Sequence, residues 1–172
     1  LIEDIVETQA MSSLRQFYTD DAGYALAKQV DTDLIQLGRT FQGGTNNAHY
    51  DHGYVGGDGT TAYTYSSSNA SALTDAAIRR TIQRLDDQDV PMDGRFFLIP
   101  PSSRNTLMGL ARYTEQAFVG ESGGSNTIRN GEIGNLYGVP VFTSTNCDST
   151  DASTPDRVCL MGHKDSMILV EQ

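Results

Sequence analysis

The sequence has little positive charge, few cysteines and no long apolar run. Its 172 residues include 12 Lys and Arg against 22 Asp and Glu, which gives a formal net charge of −10 at pH 7. Because phosphate binding depends on clustered Lys and Arg, this balance argues against a dedicated DNA- or RNA-binding module. No apolar run approaches the roughly 18 to 20 residues of a membrane span, so we expect no membrane partner. The length allows a real hydrophobic core.

Two cysteines, Cys147 and Cys159, are too few for the disulfide framework of a small secreted protein. They flank a polar stretch, residues 148–156, that could connect two strands, so a cross-strand disulfide is one geometric option. The other, which we favour, is a pair of buried or half-buried thiols in a reducing compartment.

Apolar periodicity predicts helices over residues 1–38. Apolar residues recur at three- and four-residue steps, the spacing of amphipathic helices. Thr19, Asp20 and Asp21 interrupt this pattern and could start a new helix, so we expect a second, long helix from there to Gly38. Its apolar positions are Ala22, Leu26, Val30, Leu34 and Leu37.

Residues 42–72 have a different composition. More than half are Gly, Ser, Thr or Asn, there is no Leu or Ile, and the only charged residues are Asp51 and Asp58. Such a segment cannot bury enough apolar area to form a core. We therefore predict a long surface loop, with a short hairpin around residues 62–65.

Residues 73–172 predict further helices and strands without a repeated β-α-β rhythm, which indicates an α+β fold. Thr74 should cap a helix that Val90 and Pro91 end. The predicted elements that follow are a buried strand 96–99, a helix 102–113, and extended segments 136–143, 158–161 and 167–170. Pro140 indicates that the first extended segment is an edge strand or an irregular one. Residues 162–165 should form a tight turn between the last two.

Few residues suggest catalysis or metal binding. His49, Asp51 and His52 are metal-ligand types close together, but they lie in the loop of most flexible composition rather than on rigid elements. We expect a solvated polar loop there, with a metal-dependent enzyme as the alternative. No serine has the glycine-flanked pattern of a nucleophile elbow, and no basic cluster adjoins either cysteine. We therefore predict a protein that is not an enzyme, with no catalytic, cofactor-binding or metal residues and no cofactor.

The densest basic patch is on the predicted helix after Thr74. It consists of Arg79, Arg80 and Arg84, which lie beside Asp86 and Asp87. The patch is either a solvated helix face that pairs with these two acids or a surface for salt bridges between subunits.

The order of several segments is similar to a known family. They are residues 1–9 (LIEDIVETQ), 21–27 (DAGYALA), 31–34 (DTDL), 95–101 (RFFLIPP) and 130–141 (NGEIGNLYGVPV). Together they resemble the major capsid protein of tailed double-stranded DNA bacteriophages, particularly the short-tailed, podovirus-like kind. The likeness covers about residues 1–38 and 73–172.

The resemblance implies the Hong Kong phage type of capsid fold, with a long spine helix, a peripheral domain and an axial domain. Residues 1–41 would form peripheral-domain helices including the spine helix, 42–72 a surface insertion, and 73–172 the axial domain with peripheral elements. Family members also have an N-terminal arm and an extended loop. Because the sequence begins at Leu1 without Met or the basic start of a signal peptide, we expect it to be a piece of a longer chain.

The resemblance also implies a function. The chain would self-assemble into pentamers and hexamers of an icosahedral shell that encloses the genome without sequence-specific DNA binding. Partners would include scaffolding and portal proteins, with a decoration protein as a further candidate. The shell would assemble in the host bacterial cytoplasm and persist as the virion capsid. The related alternative is an encapsulin-type bacterial compartment shell.

Overall fold

The computed structural model describes residues 13–38, 54–60, 71–110, 133–149 and 156–170. Within these ranges it has three α-helices and a four-stranded sheet, an α+β arrangement as predicted. The helices are α1 (Ser13–Leu37), α2 (Asp75–Asp87) and α3 (Pro101–Met108). The strands are β1 (Arg95–Ile99), β2 (Asn135–Leu136), β3 (Val139–Thr143) and β4 (Leu160–His163).

The sheet is mixed, with the strand order β2-β3-β1-β4. Strand β1 is internal, because it pairs in parallel with β3 and antiparallel with β4. Phe97 shows the register of both pairings: it lies opposite Val141 of β3 and opposite Met161 of β4. The predicted strand at residues 96–99 is therefore confirmed.

The segment predicted as one extended run, residues 136–143, is instead a tight hairpin. Tyr137 and Gly138 form its turn, with φ values of 52° and 82°. Two consecutive positive φ values are typical of a type I′ turn, whose twist matches that of the flanking strands. Leu136 and Val139 pair directly across this turn.

Pro140 does not lie in an edge strand, because β3 has neighbours on both sides. It faces Asn135 in β2 and comes one residue before Val141, where the pairing between β3 and β1 begins. The missing amide hydrogen of Pro140 therefore removes no bond from that parallel ladder.

The core lies where α2 and α3 meet the sheet. Its fully buried members come from both helices and three strands: Ile78, Phe97, Ile99, Leu107, Leu136 and Val139. Burial alternates along β1, so Phe97 and Ile99 are buried while Phe96 and Leu98 are only half-buried. The apolar run 96–99 is thus less completely buried than we predicted, because successive strand side chains point to opposite faces.

Helix α1 is continuous where we predicted a break. Its 25 residues pass through Thr19, Asp20 and Asp21 without interruption and end at Leu37, just before Gly38 as expected. An Asp or Thr costs at most about 0.7 kcal/mol relative to Ala inside a helix. Starting a second helix would require a new and unfavourable nucleus, so continuation is favoured. Residues 1–12 lie outside the described residues.

Other element ends differ from the predictions. Helix α2 has the predicted cap, since the Thr74 side chain accepts a hydrogen bond from Ala77 N, but it ends at Asp87, before Val90. Helix α3 ends at Met108, so residues 109 and 110 are not helical, contrary to the prediction, and Gly109 is the C-cap. The remaining predicted residues, 111–113, lie outside the described ranges, as does the hairpin around 62–65. Strand β4 extends to His163, and a 3₁₀ turn (Lys164–Ser166) replaces the predicted turn. Residues 167–170 are not a strand.

Candidate assembly surface

The long helix α1 exposes apolar side chains along its length. Every described side chain from residue 16 to residue 31 is exposed. Phe17 is 65% exposed, and Tyr24 and Leu26 are each 69% exposed. Tyr18, Val30 and Leu37 are further exposed apolar residues on the same helix. Exposed apolar residues at this density are typical of a surface that another molecule covers.

All of these residues except Tyr18 lie on two opposite sides of α1. Successive residues of an α-helix are rotated by about 100°, so Phe17 and Tyr24, seven positions apart, lie on one side. Leu26, nine positions after Phe17, lies on the opposite side, and Val30 and Leu37 follow it there. A single flat partner could cover only one of these two sides.

The C-terminal end of α1 is held against the rest of the chain. Asn146 donates a hydrogen bond from Nδ2 to a carboxylate oxygen of Asp31 at 2.6 Å. Gly38 lies against Leu160 of β4 so closely that a Cβ at Gly38 would be 2.9 Å from a Leu160 methyl group. Both contacts are near the end of the helix, which explains why its preceding turns remain exposed.

A second exposed apolar segment follows the 3₁₀ turn. Ile168 is 84% exposed, Leu169 54% and Val170 83%. Met167, which precedes them, has an extended backbone with φ −131° and ψ 138°. Three consecutive exposed apolar side chains are typical of a surface that packs against a neighbouring molecule.

Part of the polar insertion is fixed against the start of α2. The Thr74 hydroxyl and the Thr74 amide both donate to the Gly57 carbonyl oxygen at 2.8 Å, and the Asp58 amide donates to Ser71 Oγ. A Cβ at Gly57 would be 2.1 Å from the Ser71 carbonyl oxygen, so no side chain fits there. Residues 54–60 therefore pack against the helix, with Gly56 buried, whereas we predicted a surface loop throughout.

The arginines of α2 have other ion-pair and hydrogen-bond partners than predicted. Arg79 forms a salt bridge with Asp75 at 2.9 Å, and Arg80 donates to the side chain of Gln83. Arg84 donates to the carbonyl oxygen of Tyr54, in the fixed part of the insertion. Asp86 forms its salt bridge with Arg95 rather than with an arginine of the patch.

Sequence reasoning missed the role of Arg95. Its side chain is 3% exposed, donates to the carbonyl oxygens of Val90 and Pro91, and forms a salt bridge of 2.7 Å with Asp86. These contacts join the first residue of β1 to the segment that leads out of α2. The only feature of the sequence that pointed to a buried Arg95 was its position next to the apolar run 96–99.

The candidate metal ligands His49, Asp51 and His52 lie outside the described residues. Within the described ranges, no group of three His, Cys, Asp or Glu side chains is placed to hold a metal ion. Asp58 accepts a hydrogen bond from the Thr60 amide at 2.9 Å, which stabilises a local turn. In the same described part of the chain, no helix is long and apolar enough to cross a membrane.

Both cysteines are free thiols, Cys147 buried and Cys159 half-buried, as the favoured interpretation predicted. Burial raises the pKa of each thiol to about 11. Both are therefore protonated near neutral pH, and neither is activated as a nucleophile.

Large exposed apolar surfaces on a small α+β fold define a class of proteins that function by association with other molecules. A family model described as phage capsid protein matches residues 3–166, so the chain belongs to the phage capsid protein family. It is a structural coat protein of a bacteriophage, of a family whose copies associate into the capsid of the virion. The predicted resemblance to phage capsid proteins is thus confirmed for the family as a whole. No curated protein and no solved structure matches the chain significantly.

Proposed function

We propose that the chain self-assembles into pentamers and hexamers of a closed icosahedral shell that encloses the packaged phage genome. The observation that carries this proposal is helix α1, whose apolar residues lie on two opposite sides and are exposed on both. A subunit inside a shell has neighbours on two sides, and a helix between them would be covered on both. Contacts of this heterologous kind generate rings when the rotation closes.

The exposed segment at residues 168–170 supports the same proposal. An extended segment can add to the sheet of a neighbour through main-chain hydrogen bonds, with its side chains entering apolar pockets. Its three exposed side chains follow edge strand β4, at one border of the sheet. We assign this segment a contact between subunits.

We further propose the Hong Kong phage type of capsid fold, with α1 as its spine helix. On this proposal residues 1–41 are peripheral-domain helices, 42–72 a surface insertion, and 73–172 the axial domain with peripheral elements. The length of α1, 25 residues or about 37 Å, and a mixed sheet flanked by two helices are compatible with this division. The short-tailed type of phage, the N-terminal arm and the extended loop belong to the same proposal.

The remaining partners are those expected of a capsid subunit. With a net charge of −10, the chain would enclose double-stranded DNA without binding its phosphates tightly. Scaffolding and portal proteins, and a decoration protein, would be its other partners during assembly in the host cytoplasm. Its role would be structural, with no catalytic step and no cofactor.

Electron microscopy of the full-length product expressed in bacteria tests the proposal. We expect closed, prohead-like particles, and a product that stays monomeric under assembly conditions would refute it. The contents of the particles separate a phage capsid from an encapsulin-type shell. DNA packaged with the phage machinery supports the first, whereas a specifically enclosed cargo enzyme supports the second.

The variant Leu26→Gln tests the contribution of α1. Covering a leucine is worth about 1.5–3 kcal/mol per contact, so this change should raise the concentration needed for assembly at least about tenfold. The control is Gln16→Ala, at another exposed position of the same helix, which should assemble normally. Circular dichroism should show both variants folded. Normal assembly of Leu26→Gln would show that this side of α1 is not a subunit contact.

A further inference from the structure

Each cysteine lies two residues from an isolated antiparallel bridge. Ser149 and Arg157 form an antiparallel bridge, and the amide of Val158 donates to the carbonyl oxygen of Asp148 at 2.9 Å. In this register each residue forward on one segment matches one residue backward on the other. Continued one residue beyond Asp148 and Val158, the same register would set Cys147 opposite Cys159.

The type of pairing determines how close the two side chains are. Hydrogen-bonded and non-hydrogen-bonded pairs alternate along an antiparallel ladder. Extended one residue past the hydrogen bond between Val158 and Asp148, this alternation gives the two cysteines a non-hydrogen-bonded position, a type in which Cα atoms are about 4.5 Å apart. Disulfides span Cα separations of about 4.4–6.8 Å, and opposite side chains on a ladder share one face.

Further contacts hold this arrangement. Arg157 donates from Nη1 to the carbonyl oxygen of Cys147 at 3.2 Å, which ties the two segments together beside the thiols. The Cys159 thiol donates to Ser103 Oγ of α3 at 3.4 Å, a weak contact that the disulfide would replace. After burial, the nearby Cys159 is the next largest cause that raises the pKa of Cys147, which also indicates that the thiols are neighbours.

We propose that Cys147 and Cys159 are a redox pair that a small disulfide, such as oxidised glutathione, converts into a cross-strand disulfide. One cysteine thiolate attacks a glutathione sulfur, which releases the first reduced glutathione and leaves a mixed disulfide. The other cysteine thiolate attacks the protein-bound sulfur and releases the second. The two electrons and two protons that the cysteines lose are those that the two glutathione thiols gain.

This chemistry belongs to the single chain and does not depend on assembly. If the chain forms the proposed shell, the thiols stay reduced in a bacterial cytoplasm, since glutathione and thioredoxin keep thiols reduced there. The disulfide would form after the particle is released, and it would join Cys147 and Cys159 covalently.

The test is equilibration of the purified chain in glutathione redox buffers at pH 8.5, started from both the reduced and the oxidised protein. The expected product has no free thiols, weighs two hydrogen atoms less, and yields one linked peptide pair from monomeric chains. The equilibrium constant for forming the disulfide should be at least about tenfold larger in the native chain than in urea. This difference corresponds to a reduction potential about 30 mV lower for the disulfide in the native chain.

The single variants Cys147→Ser and Cys159→Ser are the controls, and each should give only a glutathione adduct or a dimer. Two outcomes would overturn the proposal. One is a native equilibrium constant no larger than that of the unfolded chain. The other is cross-linked peptides found only in dimers.

Discussion

The buried Arg95 gives a prediction that can be worked out in detail. Its guanidinium donates to two carbonyl oxygens and pairs with Asp86. Each hydrogen bond to a charged group contributes about 1.5–3 kcal/mol. The Asp86 side chain is 49% exposed, so this ion pair adds at most about 1 kcal/mol. Nη1 of Arg95 is buried without a hydrogen-bond partner, and in Arg95→Met the new side chain recovers part of the loss by apolar burial, so the net cost should be about 2–4 kcal/mol.

Urea unfolding followed by circular dichroism measures this cost, with Arg79→Met as the matched control. Arg79 also forms a salt bridge with an aspartate, but its side chain is 57% exposed. Its removal should change the free energy of unfolding by no more than about 0.5 kcal/mol. If Arg95→Met is no more destabilising than Arg79→Met, the three contacts of Arg95 do not stabilise the fold as argued.

Three further predictions concern packing, backbone conformation and pH. Leu107 is fully buried, so Leu107→Ala should cost about 2–5 kcal/mol in urea unfolding, and a cost under 1 kcal/mol would contradict the core assignment. Gly59 and Gly134 both have positive φ, but only at Gly59 would a Cβ lie within 4 Å of other atoms. Gly134→Ala should therefore cost about 1–2 kcal/mol, and Gly59→Ala clearly more. Burial raises the pKa of Cys147 and Cys159 from 9.0 to about 11, so unfolded chains lose these protons first. Stability should thus be unaffected by these thiols below pH 9 and fall as the pH rises towards 11, and replacing both cysteines with alanine should reduce this fall.

Elements set by local chemistry could be predicted from the sequence. Thr74 caps α2 because its hydroxyl reaches an amide three residues later, and a four-residue apolar run bounded by turn residues favours a strand such as β1. The hairpin at Tyr137 and Gly138 was missed because a tyrosine rarely adopts the positive φ that its turn requires. Its partner Asp75, whose carboxylate accepts a hydrogen bond from the Tyr137 hydroxyl, is 62 residues away in the sequence.

The burial of Arg95 could not be predicted for a different reason. An arginine beside an apolar run is normally exposed, and nothing local shows that two backbone carbonyls and a carboxylate converge on it. Those partners come from the last turn of α2 and from the segment between α2 and β1. The partners are near Arg95 in the sequence, but only the turn between α2 and β1 brings them to its guanidinium, and that turn was not predicted.

Helix α1 shows how a correct periodicity can leave the partner undefined. The stripe that includes Leu26 and Val30 predicted a helix with an apolar side, and the structure has that helix. The same spacing would suit a helix packed on its own core, yet Leu26 is 69% exposed. The spacing of apolar residues shows which side of a helix is covered. It does not show whether the same chain or another copy of the chain covers that side. Since the chain is a phage capsid protein whose α1 is apolar on two opposite sides, we infer that neighbouring copies provide the cover that its own core does not.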